Sequence, residues 1–274
     1  MINRYTVIGQ PIAHSLSPVV HHLFGDLTQR KINYTRTEAT NETFEQIVRD
    51  FQASGAKGCN VTAPFKELAV KVCDRVAPHA LRAGSVNTIH MQRDGALVGH
   101  STDGPGLVAD IQTNHRFELQ AKRILLLGAG GAARGVVEPL LAAQPASFHI
   151  ANRTPSKASA LAEMFGADGS ITAGSYDALA DENAFDVIIN ATTPSADGGR
   201  PLVPDTVISE QSLAYDMTYA SRDTDFMQRS AALGASSCNG LGMLVEQAAE
   251  SFFIWEGVRP KTRLVFPRLN EMLS

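Results

Sequence analysis

Cysteine is scarce. The 274-residue chain has three, Cys59, Cys73 and Cys238, odd in number and without metal-ligand spacing. That pattern excludes a disulfide framework and a thiolate metal centre, and it is expected of reduced thiols in the cytoplasm. The eight histidines are equally scattered, so no metal dependence is indicated. No apolar run reaches the roughly 18 residues that a membrane helix needs. Residues 1–8 lack the apolar core and small-residue cleavage site of a secretory leader and run straight into a strand-like segment. Basic excess is missing too: Lys and Arg number 24 against 28 Asp and Glu, a net charge of −4, so nothing draws the chain to nucleic acid or an anionic membrane. There is no internal repeat and no low-complexity linker. What remains is an ordinary soluble composition, 44% hydrophobic and 19% charged, long enough for one large domain or two of usual size.

Hydrophobic periodicity organises the first hundred residues as βαβαβα followed by a hairpin. Residues 5–8 read as a strand, and a helix follows with Val20, Leu23, Phe24 and Leu27 on one face. Residues 32–37 read as a strand, then a helix carries Phe44, Ile47, Val48 and Phe51 and stops near Gly55. A short strand at 58–62 leads into another helix. Segments 86–92 and 96–102 flank Arg93-Asp94-Gly95, a hairpin turn in which Gly accepts positive φ. This order implies an α/β layer with a mixed sheet. A second unit begins near residue 105. A helix at 106–111 precedes strands at 122–127, 148–151, 187–190, 213–217 and 236–238, the spacing of a doubly wound parallel sheet. A last helix at 243–255 is expected to pack back on the first unit.

The segment Asn60-Val61-Thr62-Ala63-Pro64-Phe65-Lys66 is the most informative one. Pro64 reads as the first residue of a helix continued by Ala69, Val72, Cys73 and Val76. Lys66 then sits in the first turn, among exposed N–H groups and the positive end of the dipole, which disfavours its ammonium form. A proton-transferring lysine needs that setting. A surface lysine that tolerates the position fits these residues equally well.

Gly128-Ala129-Gly130-Gly131-Ala132-Ala133 is a G-x-G-x-x-A variant of the dinucleotide fingerprint, placed between a strand and a helix. Gly128 allows the tight turn, Gly130 lets the backbone approach a pyrophosphate, and Ala133 permits close helix–sheet packing. At the end of the next strand an NAD enzyme usually carries an acid for the ribose. This chain has Asn152-Arg153-Thr154 with Lys157 one turn on, which suits a 2′-phosphate and favours NADP(H).

Other polar residues lack an obvious local reason. Ser17 before Pro18 is explained as an N-cap, whereas Ser15 has no such explanation. Asp103 also fits an N-cap. Asn87 opens a β-rich segment that disfavours Asn, so a specific partner is expected. Gln247 shares a helix face with Leu244, Ala248, Phe252 and Trp255, and its amide needs either an internal partner or a bound polyol.

Taken together, the blocks at 9–18, 60–66, 84–88, 99–106, 128–133, 152–154, 190–192, 215–219 and 240–249 resemble the shikimate dehydrogenase family over nearly the whole chain and in the family's order. The resemblance implies two α/β domains facing each other across a cleft. Residues 1–104, completed by 241–274, would form the substrate-binding and catalytic domain, and residues 105–240 the Rossmann-like NADP domain. It implies reversible NADPH-dependent reduction of 3-dehydroshikimate to shikimate, a step toward chorismate and the aromatic amino acids. Lys66 and Asp103 would be the catalytic pair. Ser15, Ser17, Asn60, Thr62, Asn87, Tyr219 and Gln247 would line the substrate. Gly128, Ala129, Gly130, Gly131, Ala132, Asn152, Arg153, Thr154 and Lys157 would hold the cofactor, with Met217 and Gly240 near the nicotinamide. A cytoplasmic monomer or homodimer is expected, with no metal.

Five positions depart from the family pattern: Ser101 and His22 stand where Asn is usual, Ser85 for Ala, Asn239 for Asp and Lys157 for Arg. None removes a proposed catalytic group. The alternatives are a quinate/shikimate dehydrogenase with relaxed NAD(P) use, and a noncatalytic ligand-binding homologue. A methyltransferase reading of the Gly128 loop leaves the first hundred residues unexplained.

Overall fold

The computed structural model describes residues 2–166, 171–192, 203–219 and 222–273. The chain divides into two compact units, Met1–Gly106 with Leu244–Ser274, and Leu107–Met243. The first unit contains β1 (Asn3–Gly9), α1 (Ser17–Thr28), β2 (Ile32–Glu38), α2 (Phe44–Ala53), β3 (Gly58–Val61), α3 (Lys66–Val72), β4 (Arg75–Val76), α4 (Pro78–Ala83), β5 (Thr88–Met91) and β6 (Leu97–His100). Helix α5 (Asp103–Ala109) follows. The strand order is β2-β1-β3-β5-β6-β4. β1 pairs in parallel with β2 and β3, whereas β5 runs antiparallel to both β3 and β6, so the sheet is mixed as expected.

The alternation of side chains along β1 builds two cores. Ile8 packs with Cys59, Val61 and Ile89 under Phe44 and Val48 of α2 and Phe65 beside α3. Tyr5 and Val7 face the other way, toward Ile12 and Tyr34. Each large side chain buried in this way contributes about 1.5–3 kcal/mol.

The second unit holds β7 (Arg123–Leu127), α6 (Gly131–Ala142), β8 (Ser147–Ala151), α7 (Pro155–Phe165), β9 (Ile171–Gly174), β10 (Val187–Asn190), β11 (Leu213–Asp216), α8 (Asp225–Ala232) and β12 (Ser236–Cys238). The order β12-β11-β10-β7-β8-β9 is wholly parallel and is the doubly wound arrangement. Strand β7 shows why its sequence is a continuous apolar run. Ile124 and Leu126 enter one core with Phe148, Ile150, Val187 and Ile189, while Leu125 and Leu127 enter the other with Ala151, Ile188 and Ala214. A strand covered on both faces has no polar side to show.

The chain ends with α9 (Leu241–Glu256) and α10 (Phe266–Leu273). From Leu244 onward these belong to the first unit, where Trp255 stacks on Tyr5 with ring centroids 4.6 Å apart and its Nε1 donates to Ile89 O at 3.1 Å.

Several local expectations are corrected. Pro64 lies in a turn, and α3 starts at Lys66. The helix stops at Val72, and Val76 belongs to β4. Leu27 points to solvent, because α1 buries the stripe of Val20, His21 and Phe24 instead. Helix α5 begins at Asp103, earlier than Gly106, and β9, β4 and α10 had no expected counterpart. Ser17 is the first helical residue and does not cap; the Ser15 hydroxyl accepts from Ser17 N–H at 3.3 Å instead.

Candidate active site

Strand register assembles the polar centre of the first unit. Asn60 at the end of β3 lies opposite Thr88, which lies opposite His100 at the end of β6. The residues just outside these pairs, Asn87, Ser101, Thr102 and Asp103, therefore converge at one end of the sheet. Lys66 reaches the same place as the first residue of α3, which follows β3 after a short turn.

Lys66 Nζ donates to Asp103 Oδ2 at 2.7 Å, and Asn87 Nδ2 donates to Asp103 Oδ1 at 2.8 Å. The carboxylate is nearly buried and the lysine side chain is 17% exposed, so the ion pair is screened little while one face of the ammonium stays reachable. Both Asp103 oxygens are engaged by side chains of other elements. Asp103 is therefore not spent as the helix cap that its position also suggested.

Asn87 has the specific partners its unusual position called for. Its Oδ1 accepts from Thr102 N at 2.8 Å and Thr88 Oγ1 at 3.0 Å, and its Nδ2 also lies 2.9 Å from Thr102 Oγ1. Gln247 comes from α9: its Nε2 donates to Leu244 O at 2.8 Å, and its Oε1 lies 3.3 Å from Asn87 Nδ2 and 3.4 Å from Thr102 Oγ1. Asn60 is wholly occupied inside the unit. Its Oδ1 accepts from Tyr34 at 2.6 Å, and its Nδ2 faces Asn87 O, Thr88 Oγ1 and Ser251 Oγ at 3.0–3.1 Å. Ser17 is buried, whereas Ser15 and Thr62 are half-buried. Burial pushes the Tyr34 phenol well above its ordinary pKa and keeps it a neutral donor. Beneath it His21 stacks on Tyr34 at 4.2 Å, and burial pushes its imidazole down to about 3.

Sequence reading missed Thr88, Thr102, Ser251 and Tyr34. Threonine in a strand is unremarkable by propensity, so only distances reveal its hydroxyl's use. Ser251 carried one signal: it lies four residues after Gln247, on the same helix face.

In the second unit, Gly128 follows β7 with φ +109°, a conformation a side chain resists. Gly130 caps α6 without a side-chain bond, and a Cβ added to it would meet nothing within 4 Å. With Ala129, Gly131 and Ala132 beside it, this strand-to-helix turn at the start of α6 has the form of a cradle for an anion. Ala133 is fully buried against the sheet. Register sets the end of β7 beside the end of β8, pairing Leu127 with Ala151. There Asn152 N donates to Gly174 O at 3.1 Å and Asn152 Nδ2 to Thr154 O at 3.0 Å. Arg153, Thr154 and Lys157 are exposed, and no carboxylate among the described residues pairs with either cation. This donor set fits a dinucleotide bearing an extra phosphate.

Met217 N donates to Asn190 O at 2.9 Å and Gly240 N to Thr218 O at 3.1 Å. A Cβ on Gly240 would collide with the Met217 carbonyl, so these two backbones touch because the residue is glycine. Tyr219 is half-buried just beyond β11. Asp216 ties this region together by accepting from Thr218 N at 2.9 Å, Asn190 Nδ2 at 3.1 Å and Thr224 Oγ1 at 2.7 Å. Its role had no sequence signal.

The sequence matches three family models: shikimate dehydrogenase substrate binding domain over residues 7–89, shikimate / quinate 5-dehydrogenase over 110–197, and shikimate 5′-dehydrogenase C-terminal domain over 240–265. It is 48% identical to a shikimate dehydrogenase (NADP(+)) of Chromohalobacter salexigens, with 99% of each chain covered. The structure is similar to that of an Ael1 enzyme from Pseudomonas putida, with a TM-score of 0.89 and 40% identity, covering 97% of this chain and 98% of that one. It is also similar to shikimate 5-dehydrogenase from Thermus thermophilus in complex with NADP(H) and shikimate, at TM-score 0.86 and 30% identity, covering 99% of this chain and 100% of that one. The chain belongs to the shikimate dehydrogenase family.

Proposed function

We infer that the chain is an NADP-dependent shikimate dehydrogenase, an oxidoreductase that interconverts 3-dehydroshikimate and shikimate. The observation that carries the chemistry is the Lys66–Asp103 pair, 2.7 Å apart with the ammonium partly reachable. When bound, the nicotinamide supplies the hydride in reduction and accepts it in oxidation. The chain must then manage the oxygen of the reacting carbon. As a carbonyl becomes an alcohol, negative charge grows on that oxygen and calls for a cation and a proton. Lys66 Nζ provides both, and Asp103 fixes the ammonium and balances its charge. Asn87 holds the other Asp103 oxygen, so the pair is aimed from two sides.

Hydroxyls and amides suit a polyol that carries one carboxylate. Ser15 and Ser17 bind the carboxylate in this reading, while Thr62, Asn87, Gln247 and Tyr219 meet the ring hydroxyls. Asn60 acts mainly by orienting its neighbours, since its amide is already satisfied. Gly128, Ala129, Gly130, Gly131 and Ala132 seat the pyrophosphate. Asn152, Arg153, Thr154 and Lys157 receive the 2′-phosphate, and Met217 and Gly240 border the nicotinamide. The reduced thiols expected of Cys59, Cys73 and Cys238 accord with work in the cytoplasm, as a monomer or homodimer.

A broader quinate/shikimate specificity is the second reading, favoured by the family model that spans both substrates. Near-ultraviolet absorbance with shikimate or quinate, each paired with NADP⁺ or NAD⁺, decides. Rapid reduction with shikimate and NADP⁺ alone supports the first reading. Comparable rates with quinate or NAD⁺ support the second, and no reduction in any pairing rejects both.

A further inference from the structure

Fixed donors and acceptors give the buried network of the first unit one direction. Asn87 has no freedom to flip: Thr102 N–H can only donate, so it faces Oδ1, and the Asp103 carboxylate can only accept, so it faces Nδ2. Asn60 is fixed by the same logic, since its Nδ2 faces the Asn87 carbonyl and its Oδ1 takes the Tyr34 hydroxyl. Between the two amides sits Thr88, fully buried. Its oxygen lies 3.0 Å from Asn60 Nδ2 and 3.0 Å from Asn87 Oδ1. In these contacts Asn60 Nδ2 can only donate to the hydroxyl and Asn87 Oδ1 can only accept from it. A one-way series results: Tyr34 to Asn60, Asn60 to Thr88, Thr88 to Asn87, and Asn87 to Asp103, which Lys66 meets from the other side.

We propose that Thr88 is a positioning residue for catalysis, whose hydroxyl locks the Asn87 amide against Asp103 through this directed series while touching neither substrate nor cofactor. Ser251 supports it from α9: with the Thr88 proton given to Asn87, the Ser251 hydroxyl is the donor in their 2.8 Å contact, and its oxygen lies 3.0 Å from Asn60 Nδ2. Donors aligned head to tail polarise one another, so the bond delivered to Asp103 is stronger than an isolated amide would give. Losing the Thr88 hydroxyl leaves Asn60 Nδ2 to Asn87 O and Ser251 Oγ and leaves Asn87 Oδ1 to Thr102 alone, which loosens the Asn87 amide.

The inference rests on the dehydrogenase reading, and two readouts separate their failures. Thr88→Val keeps the shape without the hydroxyl, and Thr88→Ser keeps the hydroxyl. Thr88→Val is expected to lower kcat about 5- to 20-fold with the KM for shikimate within about twofold, and Thr88→Ser to restore kcat to within about twofold. Independently of activity, solvent exchange of the Asn87 side-chain amide, read by nitrogen-resolved NMR and assigned by its loss in Asn87→Asp, should quicken about tenfold in Thr88→Val and not in Thr88→Ser. If Thr88→Val does not fold, Tyr34→Phe removes the first donor and is expected to show the same kcat loss and faster exchange. Unchanged Asn87 exchange, an equal loss in Thr88→Ser, or a loss in KM alone overturns the proposal. An inactive wild type with Asn87 exchange that still responds to Thr88 overturns the dehydrogenase reading and leaves the series standing.

Discussion

The two oxygens of Asp103 are divided between a cation and an amide: Lys66 Nζ at 2.7 Å on one, Asn87 Nδ2 at 2.8 Å on the other. Both neighbours donate to the carboxylate, the lysine as an ammonium and the amide through a nitrogen that cannot accept. Asp103→Asn would therefore set its own NH₂ against one of them. We expect this variant to lose roughly 10²–10³ in kcat and about 1–3 kcal/mol of stability. Steady-state kinetics and urea unfolding measure the two effects, and a stable variant with wild-type turnover would remove Asp103 from the catalytic pair.

Arg153 sits in the exposed segment after β8 with no carboxylate partner among the described residues. A charge-assisted contact to a 2′-phosphate contributes about 1.5–3 kcal/mol, so Arg153→Ala should weaken NADP⁺ binding roughly 10- to 100-fold. NAD⁺ binding should change little. Calorimetric titration with both nucleotides gives the comparison, and equal losses would assign Arg153 a role unrelated to the extra phosphate.

His21 is packed among Tyr34, Phe24 and Phe252 and stays neutral because burial holds its pKa at about 3. The unfolded chain takes up this proton near its ordinary value of about 6.5, so acid favours unfolding. Stability is therefore lost as pH falls from about 6.5 toward 3, at up to ~1.4 kcal/mol per pH unit from this residue. Between pH 7 and pH 5, His21→Phe should lose about 2 kcal/mol less than the parent in urea unfolding. Parallel curves for the two proteins would mean that His21 does not drive the acid sensitivity.

Ser101 is buried, and its hydroxyl has no hydrogen-bond partner among the described residues. Removing an unpaired buried hydroxyl relieves a desolvation cost, so Ser101→Ala should be neutral or stabilising by up to about 1 kcal/mol. A thermal melt tests this. A clear loss of stability would show that the hydroxyl has a partner, such as a bound water.

Periodicity was enough for the long elements because their burial is simple. The runs at β7 and β10 are apolar on both faces, and α2 shows its stripe of Phe44, Ile47, Val48 and Phe51 directly. Short elements escaped: β4 has two residues, and β9 is largely half-buried, so neither carries a clear pattern. Ser15 and Ser17 exchanged local roles because helix starts depend on backbone angles that the dipeptide Ser17-Pro18 does not settle. The Lys66 and Asp103 positions were legible through motif resemblance. The hydroxyls of Thr88, Thr102 and Ser251 were not, since strand register brings Thr88, and tertiary packing brings Thr102 and Ser251, to Asn60 and Asn87.

Lys66→Ala is the decisive variant. Turnover of shikimate with NADP⁺ should fall roughly 10²–10⁴-fold while the NADP⁺ dissociation constant stays within about twofold of the parent. A folded Lys66→Ala protein that keeps parental turnover would contradict the assignment of proton transfer and charge stabilisation to the Lys66–Asp103 pair.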